Sequence, residues 1–220
     1  MKSQALTLSL CLTVAGMLAL TTPAGAIVLT PGNSDVTATS FSGAPGTLIA
    51  TATSSFTSVL GASDFSGSVT EDVYKDSGTG MMDFVYQFSN NAASGKDIDQ
   101  MTIADFGGYI NDAYESTGPV FDAFTASSNT SSGVHELAGT ISWDYTTGMV
   151  PGATSAIVMI KTNAPTYAPG TISFIDQGTA TLTDFMAPAT APEPSFIALL
   201  GLGLAGIVGA VKQSRRKQAE

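Results

Sequence analysis

From Ile27 to Ala187 apolar residues alternate with polar ones or come in short runs, separated by clusters of Gly, Pro, Asn and Ser. Met82, Phe84, Tyr86 and Phe88 fall on one face of a period-two strand, and Ile141, Trp143 and Tyr145 do the same. Val158 and Ile160 share one face of a further strand, with Ile157 and Met159 on the opposite face. Pro151-Gly152 predicts the turn that leads into it. Phe65, Val69 and Val73 predict a longer strand of edge character. Ile172 and Phe174, then Thr179, Thr181 and Thr183 closing at Phe185, predict a terminal hairpin around Asp176-Gln177-Gly178. No window holds the i, i+3, i+4, i+7 stripe of a helix. About seven to nine short strands are expected, which makes residues 27–186 an all-β sandwich, with an immunoglobulin-like arrangement among those it fits.

Two apolar stretches break this pattern. At the front, Lys2 precedes an apolar run from Leu6 to Leu20, followed by Ala24-Gly25-Ala26. Positive charge, apolar core and an A-x-A site, in that order, predict a signal peptide over residues 1–26, cut by signal peptidase after Ala26. At the back, Phe196 to Val211 carries no charge, and a helix of that length spans about 24 Å, close to a bilayer's hydrocarbon core. Lys212, Arg215, Arg216 and Lys217 follow at once and are expected to stay cytoplasmic. A transmembrane helix over residues 195–211 is therefore predicted, with the body outside and the tail inside. Residues 187–191, Ala-Pro-Ala-Thr-Ala, read as a linker.

The residues ahead of this span carry a resemblance. Ala191-Pro192-Glu193-Pro194-Ser195, then a Leu/Gly/Ala-rich helix, then a basic cluster, resembles the PEP-CTERM sorting domain of Gram-negative bacteria. The resemblance implies that an exosortase recognises Pro192, Glu193 and Pro194, cuts there, and delivers the protein to the cell surface or to exopolysaccharide. It covers residues 192–217. The two prolines disfavour helix and lack N–H donors, so this segment is expected to stay extended where an enzyme can grip it. The stretch Asp83 to Asn90 also loosely resembles part of other PEP-CTERM proteins, which implies no activity.

Charge narrows the possible partners. Only 12% of residues are charged, and between Ile27 and Thr190 sixteen acidic residues face three lysines, a net of −13. Nucleic acid is excluded, because binding phosphates needs surface Lys and Arg. The one cysteine, Cys11, lies in the signal, so the body is expected to have neither disulfide nor thiolate metal site. The motif Gly201-x-Gly203-x-x-Gly206 sits inside the apolar span and not between a strand and a helix of a βαβ unit, so it reads as small residues of a membrane helix.

Catalytic chemistry has little material. His135 is the only histidine, no G-x-S-x-G occurs, and His135 is expected in an exposed loop. Glu71-Asp72 and Asp97-x-Asp99 could pair as carboxylates or ligate Ca²⁺, yet neither continues as an EF-hand loop. Sixteen of the 37 residues from Ser34 to Thr70 are Ser or Thr, either O-glycosylated or simply the polar faces of strands. The expected protein is non-catalytic, with no cofactor and no metal, exported to the cell surface or matrix. The alternative is a carbohydrate-binding module acting on exopolysaccharide, with Tyr109, Tyr114, Trp143, Tyr145 and Tyr167 as the candidate platform.

Overall fold

The structure is a computed structural model that describes residues 27–190 except 33, 34, 42, 44, 45, 62, 63, 119 and 120. Twelve strands and no helix occur among the described residues: β1 Ile27–Leu29, β2 Thr39–Ser40, β3 Thr47–Thr57, β4 Ser66–Lys75, β5 Met82–Asn90, β6 Ile98–Ile103, β7 Asn111–Ser116, β8 Gly133–Leu137, β9 Thr140–Met149, β10 Ile157–Thr162, β11 Thr166–Ile175 and β12 Thr179–Ala189. A seven-stranded sheet runs β1-β7-β10-β5-β4-β3, with β2 also on β7, and a five-stranded sheet runs β12-β11-β6-β9-β8. All pairs are antiparallel except β2–β7. Sheets of seven and five strands differ from the four and three of an immunoglobulin constant domain.

The expected faces are present. Met82, Phe84, Tyr86 and Phe88 from β5 meet Ile141, Trp143 and Tyr145 from β9 in one core between the sheets, joined by Val158 and Ile160. Ile157 and Met159 point the other way, into a second cluster with Val85 and Tyr74. The loop between β7 and β8 lays Phe121 and Phe124 over that outer face, so the middle of the larger sheet is buried on both sides. This is why β5 is buried at almost every position and not only at alternate ones. Ring packing ties the layers: Phe56 stacks on Phe174 at 4.0 Å between centroids, and Phe174 lies 5.0 Å from Phe88.

Gly67 is a fixed point of this packing. A Cβ there would lie 2.1 Å from the Ser89 carbonyl oxygen and 2.4 Å from the Phe56 ring, so β4 reaches its neighbours only without a side chain. The Pro151-Gly152 turn also forms, with Gly152 at φ +84°. The terminal hairpin pairs Ile175 with Thr179, as its sequence predicts.

Three expectations need correction. The strand through Val69 and Val73 is interior, because β3 pairs along its outer side. β5 pairs along the other side, and most residues of the strand are buried. Ala187, Pro188 and Ala189 belong to β12, paired with Ala168, Tyr167 and Thr166, so the strand consumes most of the segment read as linker. His135 lies in β8 and is half-buried, not in an exposed loop.

One side of the sandwich is closed by the N-terminal segment. β1 and β2 share the same side of β7, and between them the chain crosses to the other sheet. There Val36 bridges Val134, and the Gly32 N–H donates to the Glu136 carbonyl.

Candidate functional site

β12 sets the point where the chain leaves the body. Ala189, its last residue, pairs with Thr166, three positions before Pro192. The strand is pinned across the core to the larger sheet: the Met186 N–H donates to Glu71 Oε2 at 2.8 Å, and the Tyr86 hydroxyl donates to the Met186 carbonyl at 3.3 Å. Glu71 is fully buried, and that burial pushes its carboxyl up to about 8 against the pull of the Met186 N–H and Tyr86. Burial and the neighbouring Glu71 likewise hold the Tyr86 hydroxyl well above its ordinary value.

The signal residues themselves fall outside the described residues. This applies to Ala24 and Ala26, to Pro192, Glu193 and Pro194, to the helix predicted over 195–211, and to Lys212, Arg215, Arg216 and Lys217. No helix long and apolar enough to cross a membrane occurs among the described residues. Ile27, the first residue after the predicted signal cut, is the first residue of β1. The described strands therefore occupy the interval between the predicted signal peptide and the sorting motif almost end to end.

Of the carboxylates singled out by sequence, Glu71 and Asp72 separate, whereas Asp97 and Asp99 stay close enough to interact. Neighbours on a strand face opposite ways, so Glu71 enters the core while Asp72 accepts the Tyr74 hydroxyl on the outer face at 3.1 Å. Asp99 is raised by burial and by the nearby Asp176 and Asp97. On the outer face Lys161 Nζ sits 3.1 Å from Asp76 Oδ2 and 3.6 Å from Asp83 Oδ2. Burial still pushes Asp83 up to about 6, whereas the Thr79 N–H holds Asp76 down at about 2.

A constellation that sequence reasoning missed gathers at His135. Its Nδ1 lies 2.7 Å from Asp35 Oδ1 and 3.1 Å from Asp144 Oδ2, while Asp144 Oδ1 accepts Gln100 Nε2 at 2.6 Å. The three ligating atoms of Asp35, His135 and Asp144 lie within 4.8 Å of one another, so they could hold a cation. With an N–H on Nδ1 they instead tie the crossing N-terminal segment to β8 and β9. The signal was present in the β8–β9 hairpin, whose two-residue turn has Ala138 at φ 52° and Gly139 at φ 79°. That turn sets His135 opposite Ser142 and diagonal to Asp144. Asp35, 100 residues away, left no such mark.

The candidate aromatics form no platform. Trp143 and Tyr145 are 0% and 3% exposed in the core, Tyr109 and Tyr114 are half-buried, and only Tyr167 reaches 36%. Beside β2 a cleft of about 310 Å³ is instead lined by Thr37, Ser40, Phe41, Glu115, Thr117 and Ser131. Glu115 accepts the Ser131 N–H there at 2.8 Å, and burial pushes its carboxyl up to about 7.

Compared with known families, residues 190–216 match the PEP-CTERM protein-sorting motif. No curated protein and no solved structure matches the chain. The motif begins one residue after the last residue of β12.

Proposed function

We propose that this chain is a non-catalytic protein of the cell surface or extracellular matrix, exported by its N-terminal signal and cut by an exosortase near Pro192-Glu193-Pro194. The carrying observation is the PEP-CTERM motif at 190–216, which implies exosortase-dependent sorting of an exported protein. The apolar span from Phe196 to Val211 holds the chain in the inner membrane, with the body outside and Lys212, Arg215, Arg216 and Lys217 inside. The body supports a structural role: its largest side chains fill a core, and the adjacent Glu71 and Asp72 carboxylates point apart.

The short exit shapes the mechanism. Only Thr190 and Ala191 separate the end of β12 from Pro192, and two residues span at most about 7 Å. An enzyme that grips the Pro-Glu-Pro segment at the membrane surface therefore works in contact with the terminal hairpin. Replacing Pro192, Glu193 and Pro194 together by alanine is expected to leave export intact and to stop release. In fractionated cells the variant then stays in the membrane fraction while the wild type moves to the surface or medium. Equal release of the two would remove the motif from the account.

A further inference from the structure

Four borders are available on the two sheets, and three of them are blunted. β1 and β2 offer three and two residues. β8 has five residues, with His135 and Glu136 among them, and β12 carries Asp184 and Pro188. β3 differs. It runs eleven residues, Thr-Leu-Ile-Ala-Thr-Ala-Thr-Ser-Ser-Phe-Thr, with no charge, no proline and no glycine. Soluble proteins usually protect such an edge, because its free N–H and C=O groups invite another strand.

The free side of β3 is open. It pairs with β4 alone, and no backbone–backbone bond from it outside that ladder occurs among the described residues, where the Ser55 carbonyl accepts only the adjacent Ser54 hydroxyl at 3.4 Å. β12 of the facing sheet approaches β3 as well as β4 and β5, with Met186 meeting Glu71 and Tyr86 and the Val59 N–H just past β3 donating to the Thr179 carbonyl, but no ladder pairs β12 with β3. Thr51, Thr53, Ser55 and Thr57 are exposed, while Ala50 and Ala52 face the core.

We propose that β3 pairs antiparallel with β3 of a second copy of this chain, about a two-fold axis at Ala52, joining two seven-stranded sheets into one. Two features favour a second copy over an unrelated strand. The segment is self-complementary, since a two-fold at Ala52 sets Thr51 of one copy opposite Thr53 of the other, twice. Cross-strand threonine pairs are favourable, and Thr53 already makes one with Thr70, at 3.1 Å between hydroxyls. Charge points the same way. A body with sixteen acidic residues and three lysines repels its own copies wherever acids would meet, and β3 is the long border without any.

Antiparallel pairing also reverses one copy relative to the other, so the two Ala189 exits point to opposite ends of the dimer. Copies anchored side by side in one membrane cannot adopt that arrangement, which makes pairing a step that follows release. This consequence, unlike the pairing itself, rests on the sorting reading above.

The test uses the full chain purified in detergent. Sedimentation is expected to show a dimer for the wild type, and the double variant Thr51→Lys, Thr53→Lys, which sets lysine against lysine, is expected to associate at least about tenfold more weakly. Both side chains are exposed, so the variant should stay folded and unfold cooperatively, at a temperature lowered only by the lost Thr53–Thr70 pair and the lost association. A second arm places Ala52→Cys in a Cys11→Ser background, leaving one thiol per chain. Mild oxidation should then link two copies through residue 52. A monomeric wild type, which would leave the edge to some other strand, overturns the proposal. So does a folded lysine variant that dimerises as well as the wild type, or a residue-52 thiol that never cross-links.

Discussion

Raising the pH from 5 to 9 is expected to lower the unfolding free energy of the body by about 4 kcal/mol through Glu71 alone. The folded state holds the Glu71 proton up to about pH 8, because charging a carboxylate between two sheets costs more than the Met186 N–H and Tyr86 return. The unfolded chain releases that proton near the ordinary glutamate value. Between the two values the folded form binds more proton, so stability is full below the unfolded pKa and is lost as pH rises through the folded one. Glu115 at about 7 and Asp83 at about 6 add to the same slope. Asp76, held at about 2, acts in the opposite sense and only in strong acid, outside this window. Glu71→Gln keeps an acceptor for Met186 and removes the proton. Denaturant unfolding should show it near wild type at pH 5 and about 4 kcal/mol more stable at pH 9. A wild-type profile flat from pH 5 to 9 would contradict the buried-carboxyl account.

Phe174→Ala should cost about 4 kcal/mol, in the middle of the range for aromatic truncations in a core. Phe174 is fully buried in β11, stacked on Phe56 of β3 at 4.0 Å and 5.0 Å from Phe88 of β5. One ring therefore contacts both the edge and the middle of the facing sheet. The surrounding strands are fixed by their ladders, so the space it leaves cannot easily collapse. The denaturant midpoint at constant slope measures the loss. A loss below about 1 kcal/mol would mean that the sheets are held together elsewhere.

Side-chain alternation made the strands legible before any coordinates. Ile141, Trp143 and Tyr145 lie on one face, and the 157–160 run divides between two cores as its order predicts. Edge and interior were not legible for β4, because the signal of an interior strand is which neighbours pair along it, and Val69 and Val73 look the same either way. Ala187-Pro188-Ala189 has linker composition, yet pairing with Thr166–Ala168 makes it strand. Proline fits there because β12 borders its sheet. The cluster at His135 needed the hairpin register for Asp144 and the crossing segment for Asp35. The sorting motif is the reverse case. It is a contiguous address whose meaning lies in the order of its parts, so it was readable without any fold at all.

That address carries the central claim, and intact mass tests it most directly. Protein recovered from its native host should begin at Ile27 and end near Pro192-Glu193-Pro194 when the exosortase is present. It should keep the segment through Glu220 when that enzyme is deleted. A chain that retains the segment from Phe196 to Glu220 in both strains would contradict processing at the Pro-Glu-Pro motif.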